Sequence, residues 1–383
     1  MVLARSAAIV TARLPRFLLI VALTVASGPA AAQTTVAEAA ERGFQAIQRG
    51  DGDTAATMFR AALSMQPRDP VLLFGAGVAA HLQGRERDAS TALKQALELE
   101  PRLTQASAWL GEIAHAEGDL DLAIKTYESA LKYSPGNMSM RDRLEAWRRE
   151  ADVHSGLDSL RDGRFSFMFR GPVEEKLALH ARTVLDAAFA RIGSALGAYP
   201  PTSITVILYT DEQFHDITGA PEWSGGGFDG QIRLPARSAQ QNQRLFDIVL
   251  IHELTHAVVH GLAPRNVPAW LHEGLATYFQ GSDAADAARR LAESRVFVPL
   301  ARLQGPFGQL SAAQAVAVYD ESTVATRALI DRLGLKTIGL VLQELDGGET
   351  LDLAIERHGL TMAALEASVA RSIGVTPGSP SRR

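Results

Sequence analysis

Small, large and helix-stopping residues along positions 36–137 return with a period of 34. Proline falls at Pro67, Pro101 and Pro135; in the same register stand Gly43, Gly77 and Gly111, then Ala55, Ala89 and Ala123. Large apolar residues follow at Phe59, Leu93 and Tyr127, and alanine again at Ala62, Ala96 and Ala130. Small residues let two antiparallel helices approach closely, the large residue fills the gap, and proline stops the second helix. The pattern predicts three helix pairs stacked as an α solenoid. Met140, Leu144, Trp147 and Ala151 continue at helical spacing over 138–152, predicting a further helix that closes the last apolar face. A break at His154-Ser155-Gly156 marks the end of this domain.

Beyond the break the periodicity changes. Phe165–Phe169 and the β-branched run Ile204–Tyr209 read as strands, with a helix from about 173 to 196 between them. Gly225-Gly226-Gly227 precede a short strand, Gly230–Leu234, stopped by Pro235. A helix runs from about 240 to 260 and is expected to end at Gly261. The next starts near Asn266 and Pro268 and stops at Gly281. Residues 283–373 read as helical, and 374–383, rich in proline, glycine and serine, as a disordered tail.

The N-terminus changes where the chain is expected to work. Arg5, Arg13 and Arg16 precede the apolar run Phe17–Ala26, and the small residues Ala30–Ala32 suit cleavage before Gln33. This reads as a signal peptide over 1–32, with an uncleaved anchor as the other reading. No second apolar stretch is long enough to span a bilayer, so no stable membrane anchor is expected after cleavage. The chain of 383 residues has no cysteine, which excludes disulfides, thiolate metal ligands, a cysteine nucleophile and a lipoprotein anchor. A net charge of −5 with no basic run argues against nucleic acid as a partner. The expected location is periplasmic or secreted, in a bacterium.

The candidate chemistry sits in His252-Glu253-Leu254-Thr255-His256 and Trp270-Leu271-His272-Glu273-Gly274-Leu275-Ala276. Two histidines four apart on a helix share one face and can hold one zinc ion, with a glutamate beside them as general base. Three protein ligands and one open position make a catalytic zinc site. Glu273 is the expected third ligand, since a charge among Trp270, Leu271, Leu275 and Phe279 needs a partner. His260 lies a further turn along the helix of His252 and His256, and three ligands in a row cannot surround a tetrahedral ion. His272 points about 100° from Glu273 around its helix and is expected either behind the ligands, as a neighbour of one of them, or exposed.

The repeat resembles three tetratricopeptide repeats, departing from that family at Ala39, Leu73 and Ser107, where it usually carries tryptophan. The two motifs of the second domain resemble the gluzincin metallopeptidases and their peptidase MA-like domain. The resemblance implies a tetratricopeptide solenoid with its capping helix over 33–153, followed by an α+β zincin-like metallopeptidase with a helical C-terminal part over 160–373. It implies zinc on His252, His256 and Glu273, with Glu253 catalytic. It also implies that the strand Gln231–Leu234 forms the sheet edge to which an extended peptide adds. Members often stabilise the oxyanion with a tyrosine or histidine; Tyr319 is the first candidate, with Tyr278 and His260 as alternatives. The expected activity is that of an exported zinc endopeptidase acting on peptide or protein, its repeats recruiting substrate or a partner protein. The competing expectations are a non-catalytic repeat scaffold with a structural or vestigial zinc site, and a zinc hydrolase of a non-peptide amide.

Overall fold

In a computed structural model the described residues are 30–374, apart from 201–202, 222–223, 295–297, 306 and 308–311. Most of residues 1–32, read above as a signal peptide, and of 374–383, read as a tail, therefore lies outside the described residues. The chain divides into two compact units, one ending at Val153 and the other running from His154.

The first unit is the helical solenoid that the 34-residue period predicts. Its helices are α1 (Ala30–Gln48), α2 (Gly52–Met65), α3 (Pro70–Leu82), α4 (Glu86–Leu99), α5 (Thr104–Ala116), α6 (Leu120–Tyr133) and α7 (Met138–Ser155). The register positions interlock as their sizes require. A Cβ on Gly43 would meet the Phe59 ring at 2.8 Å, one on Gly77 the Leu93 side chain at 2.7 Å, and one on Gly111 the Tyr127 ring at 2.4 Å. In each pair, then, the glycine of the first helix is a socket for the large residue of the second. Met140, Leu144 and Trp147 of α7 are buried in one apolar cluster with Tyr127 and Ala130. The capping helix thus covers the face that α5 and α6 would otherwise expose.

The second unit is mixed α and β. Its strands are β1 (Asp158–Asp162), β2 (Phe165–Phe169), β3 (Ile204–Tyr209), β4 (Gly227–Phe228) and β5 (Ile232–Pro235), in the order β1-β2-β3-β5-β4. The pairs β2–β3 and β3–β5 are parallel; β1 and β4 add antiparallel at the two ends. Two features depart from expectation. The strand at 232–235 is interior, because the short β4 covers it through Gly227↔Arg233 and Phe228↔Ile232. The sheet edge on this side is therefore β4, which begins at the last glycine of the run. The strand β1 was not predicted: its polar residues Asp158-Ser159-Leu160-Arg161-Asp162 show no buried alternation.

Helix α8 (Gly171–Leu196) lays the buried stripe Ala178, Ala181, Leu185, Ala188 and Ile192 into the core that the sheet shares. Between β3 and β4 lies a further unpredicted helix, α9 (Asp211–Thr218), started by a capping box in which Thr210 and Gln213 satisfy each other's backbone N–H. After the short α10 (Ala236–Gln241), α11 (Gln243–Leu262) begins where the Asn242 side chain accepts from Leu245 N. It runs through Gly261 instead of ending there, with Ala263 as its C-cap. Contrary to the expectation of no second stretch that could span a bilayer, it is, among the described residues, the one helix long and apolar enough to cross a membrane. Its apolar surface is instead spent on the core: Leu250, Leu254 and Val258 are fully buried.

The remaining helices are α12 (Ala269–Gln280), α13 (Ala284–Ser294), α14 (Ala312–Leu333), α15 (Leu335–Asp346), α16 (Leu351–Arg357) and α17 (Met362–Ser372). The start of α12 is fixed from outside the helix. Trp270 N donates to Leu303 O at 3.1 Å and Ala269 N to Gln304 O at 3.3 Å, which satisfies two first-turn amides. Its end is set by Gly281, whose positive φ of 92° suits a C-cap that lacks a Cβ.

Candidate metal centre

Helices α11 and α12 bring the two motifs together. His252 and His256 lie one turn apart on α11, and Glu273 faces them from the first turns of α12. Glu273 Oε2 stands 3.4 Å from His252 Nε2 and 3.4 Å from His256 Nε2. The three ligand atoms lie within 4.8 Å of one another. Beyond this mutual approach, no hydrogen-bond partner satisfies these three buried atoms.

That arrangement fits a tetrahedral ion. Bonds of about 2.1 Å in tetrahedral geometry separate neighbouring ligand atoms by about 3.4 Å. Two neutral imidazoles and one carboxylate form a donor set suited to zinc, with a fourth position left over. His260, the rival third ligand, instead sits a turn further along α11, its ring edge-on to Phe228 at 5.7 Å.

The electrostatics of the triad follow from burial and mutual charge. Burial alone would raise the Glu273 carboxyl. The charge of His256 and the approach of both histidines outweigh it and hold the group down at about 2. Burial pulls His252 downward, but Glu273 and the charge of Glu253 leave it raised overall. The Glu273 carboxylate and the His252 imidazole thus favour each other's charged forms.

Glu253 is fully buried on α11. Its neighbour across the sheet edge is Gly226, just before β4: a Cβ there would lie 3.3 Å from Glu253 Cγ and 2.8 Å from Val249 Cγ1. The glycine run lets the edge of the sheet come down onto the helix beside Glu253. Ser224 Oγ donates to Gly226 O at 2.9 Å and steadies this approach.

Two residues back the ligands from outside: Gln280, which the sequence did not single out, and His272, expected either there or exposed. Gln280 Oε1 lies 2.7 Å from His252 Nδ1, and His272 Nδ1 lies 2.7 Å from His256 Nδ1. Burial, then the charge of His256, holds His272 well below the usual histidine range. Gln280 is seven positions past Glu273. Two helical turns bring it back to the same face, a signal the sequence did contain. Tyr319 lies on α14 in the core, 7 % exposed, with its ring edge-on to Phe307 at 5.9 Å. Tyr278 is half-buried on α12 beside Phe279.

Comparison with known families agrees with this geometry. The Peptidase MA superfamily model matches residues 183–373, and a tetratricopeptide repeat model matches 45–86 and 83–137. No curated protein matches the sequence. Among solved structures, the first tetratricopeptide domain of Spaghetti (RPAP3), bound to an HSP90 peptide, is 22% identical. That similarity covers 31% of this chain and 97% of that one, with a TM-score of 0.30.

Proposed function

Behind tetratricopeptide repeats the chain carries a Peptidase MA superfamily domain, and from that premise we propose that it is an exported zinc metallopeptidase cleaving peptide bonds. The observation that carries the reading is the convergence of His252, His256 and Glu273 on one point beside the buried Glu253. When bound, zinc would polarise the scissile carbonyl and activate the attacking water.

The chain's own residues supply the rest. His252, His256 and Glu273 would hold the ion and leave one position open to substrate. Glu253 would take a proton from the attacking water and hand it to the leaving amine. The outer edge of β4 would receive an extended peptide by main-chain hydrogen bonds, bringing its backbone next to Glu253. Tyr319 is the proposed oxyanion donor. The repeats would recruit the substrate or a partner protein, since solenoids present extended concave surfaces. The basic, then apolar, then small-residue order of the first 32 residues supports export to the periplasm or beyond.

The test is hydrolysis of an unfolded protein by zinc-loaded mature chain, beside Glu253→Gln. Cleavage by the wild type and its loss in the variant, with zinc retained, is the expected result. Zinc binding without cleavage of peptides would favour a scaffold or a hydrolase of non-peptide amides.

A further inference from the structure

A histidine that ligates through Nε2 while neutral must carry its proton on Nδ1. For His252 the neighbour decides this. Its Nδ1 faces Gln280 Oε1 at 2.7 Å, and a carbonyl oxygen only accepts. Gln280 is itself oriented, its Nε2 donating to Ser282 Oγ at 2.7 Å.

His256 is a different case. Its Nδ1 faces another imidazole nitrogen, His272 Nδ1, at 2.7 Å, and such a nitrogen can play either role. A single proton lies between the two. On His256 it leaves Nε2 open to a metal. On His272 it forces a neutral His256 to carry its own proton on Nε2, where no metal can bind.

We propose that His272 is a positioning residue of the metal site, whose Nδ1 accepts from His256 and holds it in the metal-binding tautomer. This rests on the zinc reading above. The rings are set for it, with centroids 4.8 Å apart and planes inclined by 30°. His272 is only 5% exposed, so water does not compete freely for the contact. The consequence concerns α12 as a whole. One helix carries the third ligand, Glu273, and the outer partners of both other ligands, His272 and Gln280. The acceptor offered to His256 is an imidazole nitrogen rather than a carboxylate, so the lock brings no further carboxylate to the ion.

Two measurements test this. Zinc affinity is read by chelator competition in wild type, His272→Leu and His272→Asn, since the asparagine oxygen can stand where Nδ1 stood and accept the same proton. His272→Leu is expected to lose about 10–100-fold in affinity, the usual cost of losing an outer partner of a ligand, while His272→Asn keeps most of it. Nitrogen-15 NMR of the zinc-loaded wild type is expected to find His272 Nδ1 unprotonated, with a scalar coupling to His256 Nδ1 across the hydrogen bond. Wild-type affinity in His272→Leu, equal loss in both variants, or a protonated His272 Nδ1 would each overturn the proposal. Should His272→Leu fail to fold, the NMR result decides alone. A wild type that takes up no zinc would sink the metallopeptidase reading, whereas zinc-loaded wild type with an indifferent His272 sinks only this one.

Discussion

Gly274 and Thr326 lie where two helices cross without room for a methyl group. A Cβ on Gly274 would fall 1.9 Å from Thr326 Oγ1 and 2.4 Å from the Ser322 carbonyl oxygen. Beside this crossing Thr323 Oγ1 donates to Thr277 Oγ1 at 2.9 Å. The helix that bears Glu273 is thus set against α14 by backbone contact one residue from the ligand. Gly274→Ala is predicted to destabilise the second unit by about 1–3 kcal/mol, the usual cost of overpacking, and to weaken zinc binding. Thermal unfolding together with zinc titration checks this; an alanine variant with wild-type values in both would show that the crossing is slack.

At the sheet edge, the approach of Gly226 to Val249 and Glu253 predicts a different kind of defect. Gly226→Val should push the edge off α11 and misplace a docked peptide. Catalytic efficiency is expected to fall on the order of 10²-fold, as for a displacement of about 1 Å. Zinc content should stay at the wild-type level, because no ligand moves. Loss of zinc in this variant would mean that the edge supports the metal rather than the substrate.

The repeats carry their own prediction. Trp147 is buried on α7, 4.5 Å from the Tyr127 ring and 5.2 Å from that of His115. Trp147→Ala should cost about 3–5 kcal/mol and loosen the last repeat. Denaturant unfolding of the full chain checks it, with a midpoint equal to wild type as the contrary result.

Much of this was legible in the sequence, and the gaps have physical causes. The solenoid was readable because its sockets are single residues, Gly43, Gly77 and Gly111, at a fixed distance from the side chains that fill them. His252, Glu253, His256 and Glu273 could be chosen because metal ligands on helices obey spacing. The outer partners depend on a neighbouring helix: His272 faces away from Glu273 on α12, and only the packing of α11 turns that direction into a contact with His256. The strand β1 was hidden because it pairs with β2 while burying little. Gly261 misled because core packing carried α11 one residue beyond a good stop signal.

Glu321 predicts a pH dependence of stability. It is buried on α14, with its oxygens accepting from Val298 N at 3.2 and 2.9 Å. Burial pushes its carboxyl up to about 8 against an ordinary 4.5; the Val298 amide opposes the rise and Glu366 adds to it. The folded state therefore holds a proton that the unfolded chain releases between about 4.5 and about 8. Its contribution is intact below that window, is lost as pH rises through it, and stays flat above it. Glu321→Gln should flatten the decline, seen as a melting temperature that falls less with pH across the window. An unchanged slope would place the titration elsewhere.

If three side chains make one metal site, zinc stoichiometry reports it. The purified protein is predicted to hold about one zinc, as a three-ligand site does. Glu273→Ala is predicted to lose it while remaining folded. A wild type that takes up no zinc on reconstitution, or a folded Glu273→Ala that holds as much as wild type, would mean that these side chains do not form a metal site.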